Sequence, residues 1–154
     1  KESEIFKGVY DIIIASSVND GKLKSTISSY LKAQYNDPSK DATVELLTGQ
    51  VTNTWWYNFI KLDPVPFLKK VKCPVLALNG SKDLQVPAEV NLEAIKKTLT
   101  ESGNKNVTTK ILPNLNHLFQ ECETGSPLEY KTIEETFSPI ALEEISNWLL
   151  IQTK

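Results

Sequence analysis

One histidine, His117, occurs in the 154 residues, and Asp83 precedes it. A carboxylate that meets an imidazole makes the acid–base part of nucleophilic catalysis. The carboxylate accepts the Nδ1–H, selects one tautomer and stabilises the imidazolium, while the ring acts as general base toward a hydroxyl. This chemistry needs the two groups to meet in space, with no particular local spacing. Taken singly, neither residue is distinctive. An Asp behind a Gly is ordinarily a turn residue, and a lone His is ordinarily a satisfied surface or core side chain. Glu121 and Glu123 are rival acids, but they share the loop of His117, where exposure is expected. Lys82 reads as a solvated charge. Cys73 and Cys122 have no metal-ligand spacing, and one His cannot complete a zinc site with them.

The elements around the pair give it meaning. Residues 63–154 read as alternating strand and helix. Val75-Leu76-Ala77-Leu78 is a short apolar run behind Cys73-Pro74, expected to be a parallel strand buried on both faces. Pro87 opens a helix with Ala88, Leu92, Ile95 and Leu99 on its apolar face, and Gly103 lies beyond its end. Val107 to Leu112 is the next strand, and a long loop from Asn114 to about Lys131 follows. A short helix is expected near Thr132, with Glu135 completing a capping box. Ser138-Pro139 starts a last helix whose inward face is Leu142, Ile145, Trp148 and Leu149. Functional groups of an open parallel sheet sit beyond the carboxyl ends of its strands. Asp83 follows one strand and His117 the next.

Residues 1–62 read as small helices. Ile5, Val9, Ile12 and Ile13 form one stripe, and Leu23, Ile27, Tyr30 and Leu31 form another. Asp37-Pro38-Ser39 breaks the second helix, and Asp41 is expected to cap a third through Leu47. Trp55, Trp56, Phe59 and Ile60 suggest a fourth. Aromatics at helical spacing ordinarily pack; here Trp55 and Trp56 are also candidates to line an acyl or aromatic pocket.

The stretch from Cys73 to Pro87, with its apolar strand, Gly80-Ser81-Lys82-Asp83 and Val86-Pro87, resembles the acid-bearing turn of the α/β-hydrolase superfamily. Asn116-His117-Leu118-Phe119-Gln120 resembles its histidine loop, especially in the serine-aminopeptidase-like and dienelactone-hydrolase-like branches. The resemblance covers roughly 63–151. It implies an α/β fold, the C-terminal portion of an α/β-hydrolase over 63–154, behind a helical cap-like segment over 1–62. It implies Asp83 and His117 as catalytic acid and base, with Trp55, Trp56 and Phe119 as candidate substrate contacts. The family order is Ser, then acid, then His, with the Ser in a G-x-S-x-G elbow. No such elbow occurs here, and the Gly-rich oxyanion segment is missing too. The expectation is therefore a C-terminal fragment of a serine hydrolase, inactive alone, whose serine lies upstream in the same protein. Ester, thioester and peptide bonds all stay open as substrates.

Composition narrows the alternatives. All 17 basic residues are Lys, 19 residues are acidic, and the net charge is -2, so no positive field draws a polyanion. Without Arg there is no bidentate reader of guanine or phosphate, and nucleic acid is not an expected partner. No apolar stretch nears the roughly 18 residues of a membrane span. Neither metal nor organic cofactor is implied. No Met occurs, which reads as a processed protein or an excised piece and leaves the compartment open. Two parallel strands make a poor independent sheet, so copies folding alone are expected to pair strands or exchange helices. The rival reading is a non-catalytic interaction or assembly domain that retains the fold.

Overall fold

The computed structural model describes residues 2–153, which divide between Asp63 and Pro64 into two compact units. The first unit is helical. Helix α1 (Glu2–Ala15) buries Ile5, Val9 and Ile13, and α2 (Gly21–Tyr35) buries Leu23, Ile27 and Leu31. Both sets fall at i, i+4 and i+8, one stripe of a helix. Asp20 caps α2 by accepting the N–H groups of Lys22 and Leu23, each at 3.0 Å. Asn36 ends it in the left-handed region at φ 47°.

Asp41 does not cap the next helix. A 3-10 turn over Pro38–Lys40 runs directly into α3 (Asp41–Val51), so Asp41 is already helical and its charge sits in the first turn. The helix also passes beyond Leu47, so that Thr48 and Val51 are buried along with Val44. Asn53 caps α4 (Thr54–Lys61) by accepting the Trp56 N–H at 2.9 Å. Of its aromatics only Tyr57 is buried. Lys61 donates to the carbonyls of Ile13, Ile14 and Ser16, closing the free end of α1.

In the second unit a short helix, α5 (Val65–Leu68), precedes β1 (Val75–Gly80). Helix α6 (Ala88–Glu101) crosses over to β2 (Val107–Leu112). The strands pair in parallel from Val75↔Val107 to Gly80↔Leu112. Helices with a two-stranded parallel sheet are the ingredients of an α/β fold. Pro87 takes the cap position of α6, one residue before the helix, and Ala88, Leu92 and Leu99 are buried. Asn104 is buried and donates to the carbonyls of Val71 and Cys73, bracing the entry to β1.

Three expectations fail here. The β1 run from Val75 to Leu78 is only half-buried, because among the described residues β1 pairs along one edge alone. Helix α7 (Pro139–Gln152) starts at the Ser138 cap, yet only its Ala141 is fully buried. Leu142 and Leu149 are exposed, while Ile145 and Trp148 are half-buried. Between β1 and α7 lies an apolar groove of about 510 Å³, walled by Val75, Leu78, Phe119, Phe137, Trp148 and Leu149 among others. Finally, no helix starts at Thr132. A 3-10 helix over Pro127–Thr132 ends there instead. The Glu135 carboxylate accepts the Glu121 N–H at 2.8 Å, and its carbonyl accepts from Gln120 at 2.9 Å. Tertiary bonds to the histidine loop thus displace the local capping box.

Candidate active site

Asp83 sits in the turn after β1, where backbone geometry dictates its pose. Its Oδ1 accepts the N–H groups of Gln85 at 2.9 Å and Val86 at 2.8 Å, an Asx-type turn that leads into α6. Its Oδ2 lies 2.9 Å from His117 Nδ1 and accepts from Asn79 Nδ2 at 3.1 Å. The Asp83 side chain is 5% exposed and the His117 side chain 39%. Burial by itself raises the Asp83 carboxyl. The N–H of Val86, the His117 ring and the N–H of Gln85 together outweigh it, and the carboxyl is held below its usual pKa. Asp83 is therefore an ionised acceptor at neutral pH. An ionised carboxylate can only accept, so it takes an Nδ1–H from the imidazole, and Nε2 is the nitrogen left for other chemistry. Among the described residues no side chain or carbonyl is bonded to Nε2.

The histidine loop is clasped by two buried amides. Asn116 Oδ1 accepts the N–H groups of Leu118 at 2.8 Å and Gln120 at 3.0 Å. Asn116 Nδ2 donates to Gln120 Oε1 at 3.1 Å, and the Asn116 N–H reaches the Gln120 carbonyl at 3.0 Å. Phe119 takes φ 57° so that the chain can turn back on itself within this ring. The loop docks directly on the end of β1. A Cβ on Gly80 would overlap the carbonyl of Leu115 and crowd that of Asn116, so only glycine admits this approach. The Lys82 N–H donates to Leu115 O at 3.0 Å, and Lys82 Nζ donates to Cys122 O at 2.8 Å. Gly125, at φ 79°, packs on the Lys82 carbonyl in the same way.

The other candidates fall elsewhere. Trp55 and Trp56 belong to the helical unit, where Trp55 stacks on Phe59 with centroids 5.1 Å apart and meets Trp56 edge-on. Trp55 is 64% exposed. Phe119 stacks on Phe137 at 5.4 Å and walls the apolar groove. Glu121 and Glu123 are exposed, and no ion pair joins either to His117 among the described residues. The Lys82 amine is spent on a carbonyl. Burial pushes the Cys122 thiol up, away from a thiolate role, and both cysteines are free. Among the described residues no three His, Cys, Asp or Glu side chains group as a metal ion would require.

Sequence reasoning treated Asn79 as a strand stop and passed over Asn116, Gln120 and Glu135 as working parts. A strand-end asparagine and a five-residue loop bracketed by two amides were the available signals. Both stay mute until the partner carbonyls are known.

Over 97 residues, which are 62% of this chain, the sequence is 31% identical to Esterase EstD of Thermotoga maritima. The chain spans 23% of that protein's length. No family model matches the chain, and no solved structure matches it. No described helix is long and apolar enough to cross a membrane.

Proposed function

We propose that this chain supplies the acid and base of a Ser-His-Asp triad in a serine hydrolase of the α/β-hydrolase type. The observation that carries the reading is the 2.9 Å pairing of His117 Nδ1 with the buried Asp83 carboxylate at the ends of neighbouring parallel strands. The similarity to an esterase supports it. In the full protein, His117 Nε2 takes the proton of a serine located upstream as its oxygen attacks an ester, thioester or amide carbonyl. The C–O, C–S or C–N bond then breaks, and the imidazolium returns its proton to the leaving group. Nε2 next takes a proton from a water that attacks the acyl-serine, and the acid is released as the serine regains its proton. Asp83 keeps the Nδ1–H tautomer and stabilises the imidazolium throughout. Upstream backbone N–H groups supply the oxyanion hole. In this reading Phe119, on the histidine loop itself, contacts apolar parts of the substrate.

The test is covalent labelling of the full-length parent with a fluorophosphonate. Labelling that disappears in His117→Ala supports the triad. A parent that takes no label points instead to an interaction domain that retains the fold. The 154-residue chain alone is expected to show no nitrophenyl-ester turnover; turnover that persists in His117→Ala would sink both claims. Light scattering is expected to show self-association of the isolated chain by strand pairing or helix exchange. A strictly monomeric, cooperatively folding chain contradicts that expectation.

A further inference from the structure

We propose that Asn79 is a positioning residue for the acid–base pair, its carboxamide holding Asp83 Oδ2 against His117 Nδ1. This inference rests on the reading of His117 as a general base.

Asn79 is the last residue but one of β1, and it is 7% exposed. A buried carboxamide is costly unless its N–H groups are bonded. Its Nδ2 donates to Asp83 Oδ2 at 3.1 Å and to the Val86 carbonyl at 3.0 Å, with a longer 3.4 Å approach to the Gly80 carbonyl. The two N–H groups therefore form a rigid fork across the acid turn. The carboxylate divides its duties accordingly. Oδ1 is fixed by backbone N–H groups, and Oδ2 is shared between Asn79 and His117. Without the Asn79 donor, Oδ1 remains a hinge about which Oδ2 can swing. Water can then compete for the half-exposed imidazole.

The residue type suits this task. A cation at position 79 would neutralise the carboxylate and weaken its hold on the imidazolium. A carboxylate there would repel Asp83. A neutral amide aligns the oxygen and leaves its charge intact.

The chain has one histidine, so its imidazole nitrogens can be read without ambiguity by nitrogen-15 NMR. In the unaltered chain the Nδ1–H tautomer should dominate. In Asn79→Leu, which keeps the volume and deletes the donor, the ratio of Nδ1–H to Nε2–H should fall about tenfold, the size of one charge-assisted hydrogen bond. A folded Asn79→Leu chain with the original ratio overturns the proposal, because a space-filling role would leave the tautomer alone. A second measurement needs no variant at this position. The Asn79 carboxamide signals of the unaltered chain should move with the same midpoint as the His117 titration, since both donors share one oxygen. Among the described residues Asp83 is the one charged group paired with that ring. Carboxamide signals that ignore the titration overturn the proposal even if Asn79→Leu fails to fold. Neither measurement involves a nucleophile, so failure here counts against Asn79, whereas an unlabelled parent counts against the hydrolase reading.

Discussion

The helical unit and the α/β unit treat their apolar residues differently. In the first, α1, α2 and α3 turn their stripes on one another, and Ile13, Ile27 and Leu31 lose nearly all contact with solvent. In the second, Ala88, Leu92 and Leu99 are buried along α6, but the cluster beside the histidine loop is only Leu112, Leu115 and Ala141, with Leu78, Phe119 and Phe137 partly covered around it. Yet the second unit carries the more complete polar machinery. Asp83, Asn79, Asn116 and Gln120 all have their hydrogen-bond partners within it. Local polar geometry can be finished by two loops on two strand ends. An apolar face is finished only when something large lies on it.

The largest expected effect tests the polar side of this contrast. In the full-length parent, Asp83→Asn should lower kcat by about 10⁴-fold, because Asn offers the wrong partner to Nδ1–H. Steady-state kinetics on a chromogenic ester decides it. The same residue has a pH signature. The folded carboxyl lies below its unfolded value, so its stabilising contribution is present above the ordinary carboxylate range near pH 4. That contribution is lost as pH falls through the lower, folded value. Acid titration followed by circular dichroism should show less loss in Asp83→Asn than in the unaltered chain.

The next effect tests the apolar side. Ile27→Ala empties part of a sealed core and should cost about 2–5 kcal/mol. Leu149→Ala, at a site 49% exposed, should cost under about 0.5 kcal/mol in this chain. Urea denaturation of the two variants measures the difference. In a full-length parent that covers α7, the Leu149→Ala cost should climb toward that of a core site. Equal costs for Leu149→Ala in both settings would break the comparison.

A third effect, smaller than that of Ile27→Ala, joins the two sides. Gly80→Ala drives a methyl into the Leu115 and Asn116 carbonyls and should destabilise by about 1–3 kcal/mol. It should also pull the histidine loop from the acid turn, seen as loss of the Nδ1–H signal of His117. A stable Gly80→Ala chain with that signal intact would mean that the loop does not dock as closely as the Gly80 contact implies.

Much of this was legible along the chain. The strand from Val107 to Leu112, the α6 face of Ala88, Leu92 and Leu99, and the Ser138 cap all follow local rules of periodicity and capping. The order of Asp83 and His117 was equally plain. Glu135 was misread because a capping box is a local pattern, and its carboxylate was claimed by the Glu121 N–H from another loop. Asp41 was misread because the turn before it was itself helical. Leu142 and Leu149 were misread because an apolar stripe states a demand for burial without saying what meets it.

By itself, then, the sequence determined most of the longer helices and both strands, and which carboxylate and imidazole could pair. Those follow from torsional preference, apolar spacing and side-chain chemistry, all carried by neighbours in the chain. Only the tertiary structure decided that Oδ2 serves both Asn79 and His117, that Gly80 admits the Leu115–Asn116 backbone, and that one face of β1 and α7 stays bare. Hydrogen bonds and contacts across tens of residues depend on where the backbone returns, and periodicity carries no information about that return.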